Sequence, residues 1–112
     1  MKQGFVTAVM DQYSIEEVID FAASNGFECI EAACWPKEKA ERRYAGVTHI
    51  DVDKLDHESA EYILTYCRER RIEISALAYY PNVLDPDLEK RAYCIEHLKK
   101  VIEAANRLKV YM

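Results

Sequence analysis

Short apolar segments alternate along this chain with amphipathic helical patterns, and this alternation restricts the possible folds more than any other feature. Three segments, at residues 4–10, 27–35 and 72–80, have the length and the apolar character of buried strands. A pattern with helical periodicity follows each of them. Strands that alternate with amphipathic helices form a parallel sheet covered by helices. The sequence therefore predicts an α/β fold built on a parallel sheet.

Capping residues mark the helix boundaries. Ser14 and Glu17 form an S-x-x-E capping box, and Gly26 can end the same helix in the left-handed conformation. A second helix is predicted from about residue 56 to residue 71, and a third begins at Asp85 with Pro86 in its first turn. The buried stripe predicted for the third helix comprises Ala92, Ile95, Leu98, Ile102 and Ala105. Residues 110–112 have the apolar character of an opening fourth strand.

Length and charge limit the class of protein. With 112 residues, the chain is predicted to form a single domain over residues 1–112. Lys and Arg total 15 against 20 Asp and Glu, and the net charge of −5 argues against a nucleic-acid partner. No apolar run approaches the roughly 20 residues of a membrane span, and no secretory signal is visible. We therefore expect a cytoplasmic protein without a membrane partner, in which the four cysteines are buried, reduced thiols.

Two architectures use repeated strand–helix units: an open doubly wound sheet and a (β/α)₈ barrel. A nucleotide-binding open sheet requires a glycine-rich turn after its first strand. The chain has three glycines, Gly4, Gly26 and Gly46, and none of them forms such a turn. The sequence thus argues against a dinucleotide or nucleoside-triphosphate site, although other open sheets remain compatible with it.

Four segments resemble the xylose isomerase-like TIM barrels, a family that includes sugar phosphate isomerases and epimerases. They are G-F-E-C-I-E at residues 26–31, H-I-D-V at 49–52, I-S-A-L-A-Y-Y-P-N at 74–82 and H-L-K-K-V-I-E-A-A at 97–105. The resemblance implies a partial (β/α)₈ TIM barrel with about three βα units and the start of a fourth strand. A complete barrel has eight strands and about 250 residues. We therefore expect the N-terminal portion of such a protein.

The resemblance also implies an activity, namely metal-assisted proton transfer on a sugar or sugar-like polyol. In the family, the divalent metal (Mn, Co, Mg or Zn) and the paired glutamates come from later strands. We therefore expect no cofactor, no metal ligand and no catalytic residue in this chain, which would be inactive alone. The alternative is a stand-alone small α/β binding or interaction module without catalysis. If the chain is a partial barrel, its open sheet edges predict self-association.

Substrates of barrel enzymes meet the carboxyl ends of the strands. The residues expected to bind a sugar here are Glu31, Trp35, His49, Tyr80 and Asn82. Trp35 can pack on the C–H face of a sugar ring or plug the top of the barrel. Strand alternation places Glu31 on the same face as Trp35. For Glu31, a structural role is favoured over catalysis. Asn82 can hydrogen-bond sugar hydroxyls or its own backbone, and His49 is also compatible with a structural role.

Phosphate recognition is expected away from the helix N-termini, since all three predicted helices begin with acidic residues. Any ligand phosphate would be bound by the basic residues of the long loop after the second strand, or not at all. These residues are Lys37, Lys39, Arg42 and Arg43. His57 and His97 lie in helices that we expect to be distant from the strand ends, and no functional role is assigned to them.

Overall fold

A computed structural model describes residues 2–36, 47–81 and 84–110. Its elements, in chain order, are β1 (Gly4–Val6), a 3₁₀ helix (Thr7–Met10), α1 (Ile15–Ser24), β2 (Cys29–Ala33), α2 (His57–Glu69), β3 (Glu73–Ala78) and α3 (Leu88–Arg107). The strands form a parallel sheet in the order β1-β2-β3, with a bulge between Ile30 and Glu31. The predicted α/β fold is confirmed: an open three-stranded parallel sheet alternating with helices, as in part of a TIM barrel.

The first helix begins where its capping box predicts, and the second begins next to its predicted start near residue 56. The Ser14 hydroxyl accepts the Glu17 N–H and the Glu17 carboxylate accepts the Ser14 N–H, which completes the capping box of α1. Asp56 and Ser59 make the equivalent pair of bonds at the start of α2. Gly26 has a φ of 77°, the left-handed conformation expected after α1.

The core lies between the sheet and the helices. Buried apolar side chains of α1 and α2 pack against alternate residues of β2 and against Ile74 of β3. The α1 and α2 members are Ile19, Ala22, Ala60, Ile63 and Cys67, and those of β2 are Ile30 and Ala32. Among the described residues, no helix is both long enough and apolar enough to cross a bilayer.

The first strand is shorter than predicted, because the chain leaves the sheet after Val6. Thr7 begins the 3₁₀ helix, and its hydroxyl accepts the Ala33 N–H at 2.8 Å, where a strand carbonyl would otherwise bind. A returning segment then occupies the vacated side of β2. The His49 and Ile50 N–H groups both donate to the Ala33 carbonyl, and Thr48 forms an antiparallel bridge with Cys34.

The start of α3 also differs from the prediction, since Asp87, not Asp85, is the N-cap. The Asp87 carboxylate accepts the N–H groups of Glu89 and Lys90, whereas Asp85 accepts the Asp87 N–H in the turn before the helix. Pro86 therefore precedes the helix and does not lie in its first turn. Both aspartates can cap a helix, and only the backbone path distinguishes them.

The buried face of α3 is rotated relative to the predicted stripe. The buried residues are His97, Val101 and Ala104, while Leu98 and Ala105 are half-buried against the core. Ile95 and Ile102 are exposed. The helix carries two adjoining apolar arcs, and the sequence does not show which one meets the sheet. Of the predicted fourth strand, Val110 is buried and residues 111–112 lie outside the described residues.

Candidate functional site

Three aromatic residues meet at the carboxyl ends of β2 and β3. Trp35 follows the end of β2, and Tyr79 and Tyr80 follow the end of β3. The Trp35 ring makes edge-to-face contacts with both tyrosines, at centroid distances of 5.8 Å to Tyr79 and 5.5 Å to Tyr80. Tyr79 is buried, whereas Tyr80 is 61% exposed. The parallel register thus creates an aromatic surface at the edge of the sheet where barrel ligands bind.

Glu31 joins this aromatic surface through Tyr80. The Tyr80 hydroxyl donates a hydrogen bond to the Glu31 carboxylate. Desolvation and this hydrogen bond together raise the pKa of Tyr80 to about 12, so the phenol remains protonated and continues to donate at neutral pH. Glu31 alternates along β2 with the buried Ile30, and it lines an open hollow of about 350 Å³ together with Gly4 and Ser75.

The structure therefore brings three of the five predicted binding residues together: Glu31, Trp35 and Tyr80. Trp35 and Tyr80 lie at the strand ends, and Glu31, which lies within β2, is joined to them by its hydrogen bond with Tyr80. The ring face of Trp35 can pack on C–H groups, while the Glu31 carboxylate and the Tyr80 oxygen can accept hydrogen bonds from hydroxyls. Asn82 lies outside the described residues. His49 makes its contacts elsewhere.

His49 belongs to a hydrogen-bonded chain that joins β1, β2 and the returning segment. Its Nδ1 lies 2.7 Å from the Thr7 hydroxyl, and its Nε2 lies 3.1 Å from the Met10 carbonyl oxygen. A carbonyl only accepts, so Nε2 carries the proton and Nδ1 accepts from Thr7. Thr7 in turn accepts from the Ala33 N–H. Both ring nitrogens are thus engaged within the protein, which supports the structural interpretation of His49.

Burial lowers the pKa of His49, and this is the main electrostatic effect on the ring. The neighbouring backbone of Met10 and Tyr13 and the charge of Asp11 act in the opposite direction. Burial therefore favours the neutral form of His49, in which Nε2 donates to Met10 and Nδ1 accepts from Thr7.

The structure places His97 at the end of β2, contrary to the expectation that it lies far from the strand ends. Its side chain is buried, and Nε2 donates to the Cys34 carbonyl oxygen at 2.7 Å. Its ring packs edge-to-face on Tyr79 with centroids 4.6 Å apart. His97 therefore packs against the buried side of the aromatic surface, where it contacts Tyr79. Thr7 is a further residue of this region that was not predicted, and its only signal in the sequence is a polar residue inside an apolar run.

The two described ends of the long loop are joined beside this surface. The Trp35 N–H donates to the Val47 carbonyl at 3.1 Å, and the Thr48 hydroxyl donates to the Trp35 carbonyl at 2.6 Å. The loop residues proposed for phosphate binding lie outside the described residues. They are Lys37, Lys39, Arg42 and Arg43.

The side chains do not fit a divalent metal in the described part of the chain. No group of three or more His, Cys, Asp or Glu side chains converges among residues 2–36, 47–81 and 84–110. His49 has both nitrogens in internal hydrogen bonds, and Asp53 pairs with Lys100 at 2.7 Å.

Burial raises the pKa of the Cys34 thiol to about 12, so Cys34 remains a protonated core residue. All four cysteines are unpaired thiols; Cys34 and Cys67 are buried as predicted, whereas Cys29 and Cys94 are half-buried.

The fold and the aromatic surface together define a parallel α/β protein whose candidate ligand face lies at the carboxyl ends of its strands. The sequence model of one family, described as xylose isomerase-like TIM barrel, matches residues 19–112. Because this match covers most of the chain, the protein belongs to the xylose isomerase-like TIM barrel family, and the resemblance described above is confirmed. Comparison with curated proteins finds no match.

Proposed function

We propose that this chain supplies the sugar-binding part of a xylose isomerase-like sugar isomerase or epimerase. Its ligand is a sugar or a sugar-like polyol bound at Glu31, Trp35 and Tyr80. The hydrogen bond from Tyr80 to Glu31, made beside the Trp35 ring, carries this proposal. It places a carboxylate, a phenol and an aromatic face together, and a polyhydroxylated carbon chain is a ligand that uses all three.

The chemistry of the site suits binding better than proton transfer. Aldose isomerisation and sugar epimerisation both move a proton at a carbon next to a carbonyl. Both reactions require a base, an acid and stabilisation of the enediolate. The Glu31 carboxylate already accepts a hydrogen bond from Tyr80, and the raised pKa of Tyr80 makes this phenol a poor acid at neutral pH. In this proposal, proton transfer and the divalent metal are supplied outside these three βα units. The cytoplasm is the proposed compartment.

Trp35 provides a direct test, because it is the one tryptophan of the chain. We expect its fluorescence to change saturably on titration with an aldose such as xylose, a ketose such as fructose, or a polyol such as xylitol. Tyr80→Phe and Glu31→Gln each remove one hydrogen-bonding group, and each should weaken this binding by about tenfold. Tyr62→Phe is the matched control, since it removes a hydroxyl from an exposed tyrosine of α2 and should leave the titration unchanged. Titrations without a saturable change for all three sugar classes would overturn the proposal.

The alternative is a binding or interaction module without catalysis, and the exposed apolar residues of α3 favour it. A complete catalyst can be distinguished from both the sugar-binding part of an isomerase and a binding module. The chain is incubated with xylose and Mn²⁺ or Co²⁺, and any ketose formed is detected. We expect no conversion. Turnover that is lost in Glu31→Gln would show that the chain itself carries the catalytic group and would contradict the binding role given to Glu31.

A further inference from the structure

One side of α3 presents an apolar stripe that the described fold does not cover. Leu88, Ile95 and Ile102 recur at intervals of seven residues and are 70%, 37% and 62% exposed. The opposite side of the helix faces the start of α2, where Lys100 pairs with Asp53. The stripe therefore lies on a side of α3 that points away from this contact and is exposed.

The other end of the sheet presents a groove beside α1. Asp20 of α1 bonds to Tyr66 and Arg70, so that side of α1 faces α2. Phe21 lies on the side away from α2. Together with Tyr13, Glu17 and Asp20, it lines an open groove of about 450 Å³ along the exposed face of α1. Phe21 also contacts Phe5 of β1, an edge strand of the sheet, so the Phe21 side of the groove lies beside β1. Phe21 and Tyr13 are 44% and 52% exposed.

The groove and the stripe have opposite charges. Helix α1 contains three acidic residues and no basic residue, and Glu17 lies in the groove itself. Helix α3 contains five Lys or Arg residues against three Glu. Among these basic residues, Arg91 and Lys99 are three or four positions from members of the stripe and so share its side of the helix. An apolar stripe flanked by cations matches an aromatic groove that carries a carboxylate.

We propose that the groove of α1 binds the α3 stripe of a second copy of this chain. The contact is head-to-tail, so that α3 of one copy packs against α1 of the next. A symmetric contact between two α3 stripes would bring Arg91 and Lys99 of both copies together, whereas the head-to-tail contact pairs them with Glu17. Such a heterologous interface gives rings when its rotation closes and open chains when it does not.

A heterologous contact can be tested with two variants that each block one surface. Ile102→Glu places a carboxylate in the stripe, and Tyr13→Lys places a cation in the groove opposite Arg91 and Lys99. We expect the unaltered chain to self-associate with rising concentration in analytical ultracentrifugation. Each variant alone should raise the dissociation constant by about tenfold or more. An equimolar mixture should form a one-to-one dimer, since an intact groove and an intact stripe remain, one on each copy.

The control is Tyr93→Glu, which introduces the same charge on α3 outside the stripe and should leave association unchanged. Circular dichroism spectra that match the unaltered chain show that both blocking variants are folded. A monomeric unaltered chain at every concentration would overturn the proposal. So would a Tyr13→Lys variant that associates as tightly as the unaltered chain, which would indicate symmetric stripe-to-stripe contact, or a mixture that remains monomeric.

Discussion

The Thr7 hydroxyl lies 2.7 Å from Nδ1 of His49 and, at the same time, 2.8 Å from the backbone nitrogen of Ala33. One buried oxygen therefore connects the end of β1, the end of β2 and the segment that returns after the long loop. This connection fixes the point where β1 leaves the sheet and where the returning segment takes its place. It positions the strand end from which Trp35 projects.

Replacing Thr7 with Val should destabilise the fold, because valine preserves the shape but leaves the Ala33 N–H and Nδ1 of His49 without a partner. Both groups are then desolvated, and we expect a loss of about 1–3 kcal/mol in the free energy of unfolding. Urea denaturation followed by circular dichroism measures this loss. Thr7→Ser keeps the hydroxyl and should cost less than Thr7→Val. The opposite order would show that the methyl group of Thr7 matters more than its hydrogen bonds.

Stability should depend on pH through His49. Burial lowers the pKa of this side chain in the folded state below its ordinary value of 6.5, so the unfolded chain binds a proton more readily. The contribution of His49 to the free energy of unfolding is therefore complete above pH 6.5. It is lost as the pH falls through the lower pKa of the folded state. Urea denaturation at a series of pH values should show this decline. The decline should become shallower in His49→Gln, whereas His57→Gln, at an exposed position of α2, should retain it.

Gly4 and Gly26 should tolerate alanine to different extents, for different physical reasons. A Cβ at Gly4 would clash with the Cys29 carbonyl oxygen and lie 2.6 Å from its sulfur, so the backbone of β1 or β2 must move. A Cβ at Gly26 meets no atom within 4 Å, and the cost comes only from the positive φ. We expect a loss of about 1 kcal/mol for Gly26→Ala and about 2–3 kcal/mol for Gly4→Ala. Thermal unfolding that ranks Gly26→Ala as the more damaging change would contradict this account of β1.

His97 should matter through its hydrogen bond to Cys34 as well as through its packing. His97→Phe retains an aromatic ring against Tyr79 but leaves the buried Cys34 carbonyl without this donor. We expect a loss of about 1–3 kcal/mol in the free energy of unfolding and a shift in Trp35 fluorescence, because Tyr79 contacts both rings. Replacement of the exposed Ile102 with Val, on the same helix, should change neither measurement. An unchanged Trp35 emission in His97→Phe would show that His97 does not position the aromatic surface.

The candidate site was predictable in part, from strand alternation. Period-two spacing places Glu31 and Trp35 on one face, and the structure adds Tyr80 to them through the register of β2 and β3. Strand alternation could not place His49, because it lies in the segment that returns after the long loop. Nor could helical periodicity decide between the two apolar arcs of α3, since both have the same spacing and only one meets the sheet.

Sequence alone determined the features whose partners are near neighbours in the chain. The Ser14–Glu17 capping pair is three residues apart, and the backbone turn at Gly26 depends on that residue itself. Tertiary structure decided the rest. Thr7 and His49 are 42 residues apart and Cys34 and His97 are 63 apart, so these pairs form only when the parallel sheet assembles. Because the partner of a buried polar group is set by that assembly, the sequence shows that such a group needs a partner but not which residue supplies it.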